Sequence, residues 1–158
     1  MLDDAKKIGL VYFRLNENIR NHFEDSFDKI RTLKTPYGEM GEIMYHIFDS
    51  PNIWLNFLTG ETIELKPYNK LTSKKLFYDE WKMVEERLQK YLEQSKELDY
   101  GKRMHIVFDD GFEMNTSIEE LLMHISHHAF YHRGTLGVLV RENNLPPLPS
   151  SNWFFSLK

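Results

Sequence analysis

Apolar residues recur every three or four positions in four separate stretches of this chain, and that period restricts it to amphipathic helices packed on one another. In the first stretch, roughly Asp4 to Leu33, the apolar face is Ile8, Tyr12, Leu15, Ile19, Phe23, Phe27 and Ile30. Thr35-Pro36-Tyr37-Gly38 breaks it. The second has Met40, Ile43, Met44 and Ile47 on one face, continues through Trp54, Phe57 and Leu58, and stops at Thr59-Gly60. Ser50-Pro51 falls inside it. Proline suits a first helical position and not an interior one, so a kink or restart is expected there. A loop over 60–72 follows. The third helix is expected from about Ser73 to Lys96, with Phe77, Trp81, Val84, Leu88 and Tyr91 as its stripe. Ser117-x-x-Glu120 is a capping box that opens the fourth. That helix reaches about Asn143, where Leu145-Pro146-Pro147 stops it.

Between the third and fourth helices the pattern changes. Met104-His105-Ile106-Val107-Phe108 favours a strand, Asp109-Asp110-Gly111 a turn, and Phe112-Glu113-Met114 can pair back. The expected architecture is all-α: an up-and-down four-helix bundle with a short β-hairpin between helices three and four, residues 1–158 forming one domain. The tail from Pro149 to Lys158 is irregular but carries Trp153, Phe154 and Phe155, and is expected to pack on the bundle. The chain has 20 Lys and Arg against 24 Asp and Glu, a net charge of −4, which excludes a generally basic nucleic-acid binder. It has no cysteine, which excludes disulfides, thiolate metal sites and a cysteine nucleophile. There is no membrane-length apolar run, and MLDDAKKIGL does not read as a signal peptide, so a cytoplasmic protein is expected.

The chemistry is concentrated in histidine. Four of the seven histidines lie in residues 124–132, and His124, His128 and His132 are spaced i, i+4, i+8. Neighbours four apart share a helix face, so either adjacent pair can hold one ion. The outer two are about 12 Å apart along the axis, too far for a single ion with ~2 Å bonds. At about 100° per residue, His132 sits nearest the centre of the apolar arc, His128 further round, His124 on the flank and His127 opposite. A histidine facing the core needs a partner, which a metal or a hydrogen bond supplies equally well. Two ligands do not make a site. Of His22, His46 and His105, His46 is the best placed third, at the edge of the apolar face beside Ile43 and Ile47. No H-E-x-x-H, Glu-x-x-His, G-x-x-x-x-G-K or G-x-G-x-x-G occurs, which argues against zincins, di-iron carboxylate bundles and nucleotide-binding loops.

The run from Leu121 to Gly134, with H-x-x-x-H-x-x-x-H-R-G at His124, His128, His132, Arg133 and Gly134, resembles the signature of the DinB-like (damage-inducible) family. Met44-Tyr45-His46-Ile47-Phe48-Asp49-Ser50 followed by Trp54 resembles the family's other recurrent block, and length and element order agree over nearly the whole chain. The resemblance implies a four-helix bundle, commonly a homodimer, and a zinc or nickel ion held by His46, His128 and His132. It also implies kinship with thiol-dependent S-transferases such as bacillithiol transferases, hence a small-molecule substrate and possible use of a low-molecular-weight thiol. Members often carry an Asp after the Pro-rich segment, where this chain has Asn152. Three neutral imidazoles leave a fourth coordination position open, the pattern of catalytic sites; metal-dependent hydrolysis and a non-enzymatic binding bundle are the alternatives. No general base is identifiable, and Glu42, one turn before His46, is a candidate acceptor for its ring N–H. Arg133 is an ion-pair partner or an anion contact. Gly134 and Gly137 suggest close helix approach or packing, and Phe130, Tyr131 and Val138, outside the main apolar arc, suggest a covered dimer face.

Overall fold

The apolar stripes close on one another as a four-helix bundle in the computed structural model, which describes residues 2–94 and 99–149. The long helices are α1 (Leu2–His22), α3 (Met40–Thr59), α4 (Lys74–Glu93) and α5 (Ile118–Glu142), with a short α2 (Phe27–Arg31) after the first. Strands β1 (Lys34–Thr35) and β2 (Gly38–Glu39) form a minimal hairpin before α3. Strands β3 (Arg103–Val107) and β4 (Glu113–Ser117) form the expected hairpin before α5. The core is large and aromatic: Tyr12, Phe23, Phe27, Phe48, Phe77 and Trp81 are fully buried. The expected end of the third helix near Lys96, and Trp153, Phe154 and Phe155, lie outside the described residues.

The first apolar stretch is two helices rather than one. The chain turns over 23–26, where Ser26 N–H donates to the Phe23 carbonyl at 3.1 Å, and Phe27 starts α2. A four-residue turn is about one helical turn long, so the 23, 27, 30 spacing runs through the break without registering it. Phe23, Phe27 and Ile30 are all buried across it.

Pro51 also behaves unlike the sequence expectation: α3 runs through it from Met40 to Thr59. Proline deprives the carbonyl four residues back of its helical donor. That carbonyl is Ile47, and it accepts instead from the hydroxyl of buried Tyr12 at 3.4 Å, reaching across from α1. Gly60, at φ 69°, then closes the helix in the left-handed conformation. Ser117 caps α5 reciprocally with Glu120 as its sequence indicated.

The four-helix bundle is as expected, but its long helices do not simply alternate up and down, because helix directions are not carried by periodicity. Tyr78 bonds the Arg20 carbonyl and Gly9 faces Leu92, so α1 and α4 are antiparallel. Phe48 stacks on Trp81 and Asn52 meets Arg87, so α3 and α4 run parallel. Parallel neighbours require the chain to travel back the length of a helix. The stretch 60–73, at ~3.3 Å per extended residue, reaches roughly 45 Å, against ~30 Å for a helix of this length. It is pinned on the way: Asn52 donates to the Ile63 carbonyl at 2.8 Å, Ile63 N–H donates to Asn56 at 3.1 Å, and Arg87 reaches both asparagines and the Glu61 carbonyl. The antiparallel pair α3–α5 is the one that carries the histidines.

Candidate metal centre

His46 lies in the first half of α3, and His128 and His132 lie about three and four turns into α5. Because the two helices run antiparallel, the three rings meet in the groove between them. His128 Nε2 lies 3.1 Å from His46 Nε2 and 3.1 Å from His132 Nε2. All three ligand atoms fall within 4.8 Å of one another, the one such group found among the described residues. A tetrahedral ion with ~2.05 Å bonds sets its ligand nitrogens about 3.3 Å apart, so the spacing suits a divalent ion.

The contacts are hard to explain without a cation. A ring nitrogen carries either a proton or one in-plane lone pair. His128 Nε2 therefore cannot hydrogen-bond well to both neighbours at once. Its Nδ1 is buried with no partner, so a proton on that side is left unpaired while a single Nε2 lone pair serves two neighbours. Burial, reinforced by the charges that His132, His46 and His124 would carry, pushes the His128 imidazole down to about 3. Burial and His46 lower His132 as well. Both rings are thus held in the neutral form that ligates metals.

The other histidines are elsewhere. His124 packs edge-on against Trp54, with ring centroids 5.3 Å apart, and stays out of the cluster. His127 is exposed. His22 donates to the Pro146 carbonyl at 2.9 Å, tying α1 to the segment after α5. His105 lies on the hairpin beside Glu113 and Asn115. Of the two registers open from spacing, the structure brings together the one that includes His132.

Several neighbouring expectations change. Glu42 does not meet His46 Nδ1; its Oε2 accepts from the Glu39 N–H at 2.6 Å and caps α3. Arg133 makes no ion pair among the described residues and donates to the Pro149 carbonyl. A Cβ at Gly134 would meet nothing within 4 Å among the described residues, so none of the described helices approaches it closely; at Gly137 the nearest atom is Leu148 Cδ1 at 4.0 Å. Asp49, one turn after His46 on α3, was not singled out from the sequence. It is half-buried, burial raises its carboxyl, and the charge of His46 opposes that rise. A carboxylate three residues after a candidate ligand histidine was the available signal.

One side of the cluster is open. A pocket of about 330 Å³ begins at His46 and His132, with Ile43 and Glu42 on the α3 wall. Tyr131 and Thr135 line the α5 wall, and Tyr37, from the turn between β1 and β2, stands at the rim. The sequence did not advertise Tyr37 or Thr135, because only the fold brings the β1–β2 turn alongside α5.

Two comparisons agree with this arrangement. The chain is similar to "Protein DinB" of Bacillus subtilis (strain 168), 22% identical over 160 residues that cover 95% of this chain and 92% of the relative. The family model of the DinB family matches residues 14–150, which takes in the second part of α1, the other three long helices and all three clustered histidines. On that match the chain belongs to the DinB family.

Proposed function

We propose that His46, His128 and His132 bind a divalent metal ion, zinc or nickel, and that the protein is a metal-dependent enzyme of the thiol S-transferase type. The observation that carries this reading is the convergence of three Nε2 atoms on one point with a pocket opening beside them. A structural metal is normally enclosed by four protein ligands; three ligands and an open side fit a reacting site. A bound divalent ion supplies positive charge that favours the deprotonated, nucleophilic form of a thiol at neutral pH. The chain's own part is positional. The two helices hold the rings neutral and oriented, and the pocket walls orient the substrate.

The proposal includes a cytoplasmic location, where low-molecular-weight thiols stay reduced; no helix among the described residues is long and apolar enough to cross a membrane. Metal-stripped protein is expected to melt lower than protein loaded with one equivalent of zinc or nickel, since the ion binds only the folded arrangement. Loaded protein is expected to accelerate addition of small thiols to electrophiles, and stripped protein is not. Equal melting temperatures would overturn the metal reading. A loaded protein that hydrolyses esters or amides but transfers no thiol would move it to the hydrolases.

We further propose a homodimer built on α5. Phe130 and Val138 are 37% and 52% exposed, and Gly134 lies between them with free space above it. An exposed mid-helix glycine costs about 1 kcal/mol against alanine, and a close partner helix would offset it. Sedimentation at micromolar concentration is expected to give dimers, and Val138→Glu monomers. A wild-type monomer under those conditions would remove the proposal.

A further inference from the structure

Resting on the metal reading above, we infer that the pocket beside His46 and His132 selects a substrate whose non-reacting end is a ring bearing an ammonium or hydroxyl group, and disfavours a carboxylate there. The charge lining supports this. Glu42 is the one charged side chain on the pocket wall, and no Lys or Arg lines the pocket among the described residues. The nearby cations are engaged elsewhere. Lys34 pairs with Glu39 at 2.8 Å, and Arg133 is turned to the Pro149 carbonyl.

The start of α3 offers an anion little. A helix N-terminus attracts negative charge through its free N–H groups. Here the Glu42 carboxylate already accepts from the Glu39 N–H at 2.6 Å, so the position is filled by the protein's own anion. A substrate carboxylate at the end away from the ion meets that charge and finds no Lys or Arg among the described lining residues.

The aromatic lining supplies the other half. Tyr37 and Tyr131 are 72% and 71% exposed, yet both face the same pocket. Tyr131 is braced edge-on against His132, with ring centroids 4.9 Å apart. Rings so placed offer π-faces to an aromatic or cationic group. Thr135 adds a hydroxyl on the same wall. Three polar features accept or donate without a positive charge, and Ile43 supplies the apolar floor.

Glu42→Gln is the discriminating variant. Glutamine at the third helical position still caps, so the helix start is retained while the charge is removed. The probes are 4-(aminomethyl)benzenethiol and (4-mercaptophenyl)acetate, matched in shape and opposite in charge, titrated calorimetrically into zinc-loaded protein. The aminomethyl thiol is expected to bind roughly tenfold more tightly than the acetate, with the ratio falling to about threefold or less in Glu42→Gln. An unchanged ratio in the variant, or tighter binding of the acetate by the wild type, would overturn the inference. A thiol-free pair separates this from the metal reading. Benzylammonium is expected to shift the amide resonances of Ile43, Tyr131 and Thr135 in metal-free protein more strongly than phenylacetate does. Equal or reversed shifts would sink the pocket assignment. Failure to take up one zinc per chain would sink the metal reading instead, whatever the pocket prefers.

Discussion

His132→Ala is expected to abolish stoichiometric binding of zinc or nickel, while His124→Ala retains most of it. Of these two, His132 is the one whose Nε2 lies 3.1 Å from His128 Nε2, in the group that His46 Nε2 completes. His124 spends its ring on Trp54. Loss of one of three protein ligands is expected to weaken affinity by more than about 100-fold, beyond the 10–100-fold usual for groups that only orient a ligand. Metal content after gel filtration, measured on both variants, settles the ranking. The reverse order would move the site one turn toward the start of α5 and detach it from the pocket at Tyr131 and Thr135. His46→Ala is expected to behave as His132→Ala does.

The largest expected effect on stability lies on the far side of the bundle. Arg20 and Glu85 form an ion pair at 2.6 Å between α1 and α4, with side chains only 11% and 12% exposed. The guanidinium also lies over the Trp81 ring, 5.3 Å from its centroid. Removing one partner strands a buried charge, which costs more than the pair itself contributes. Arg20→Met is expected to destabilise by about 3 kcal/mol, and Arg20→Met with Glu85→Leu to recover most of that. The pH dependence has a definite sign. Burial already raises the Glu85 carboxyl, and Arg20 is what opposes the rise. Without Arg20 the folded protein favours the protonated acid over the ionised one more than the unfolded chain does. The penalty is therefore smaller where the acid is protonated and grows as pH rises past that range. Urea unfolding of Arg20→Met at pH 5 and pH 8 is expected to show the larger deficit at pH 8. A deficit independent of pH would mean that lost packing of the arginine stem, not the stranded carboxylate, carries the cost.

The helices, their caps and the hairpin were legible in the chain because each depends on residues a few positions apart. Ser117 and Glu120 specify the start of α5 between themselves, and Asp109-Asp110-Gly111 turns β3 into β4 with Gly111 at φ 86°. The histidine spacing likewise limited any ion to one of two adjacent pairs. Other features depended on what a distant segment supplies. Pro51 stays inside α3 because Tyr12 occupies the carbonyl that proline leaves free, that of Ile47, 35 positions further along the chain. The break at 23–26 leaves no mark in the sequence pattern because it preserves the apolar spacing on both sides. Glu42 caps a helix instead of orienting His46, because the β1–β2 hairpin delivers the Glu39 N–H to it. Periodicity records which face of a helix is buried, and says nothing of which helix covers it or in which direction that helix runs. The parallel course of α3 and α4, and with it the antiparallel meeting of α3 and α5 that brings His46 to His128 and His132, follows from the length of the 60–73 crossing and from how the stripes fill one core. Tertiary packing alone therefore decided that three separate imidazoles share one point and that Tyr37 and Thr135 border it.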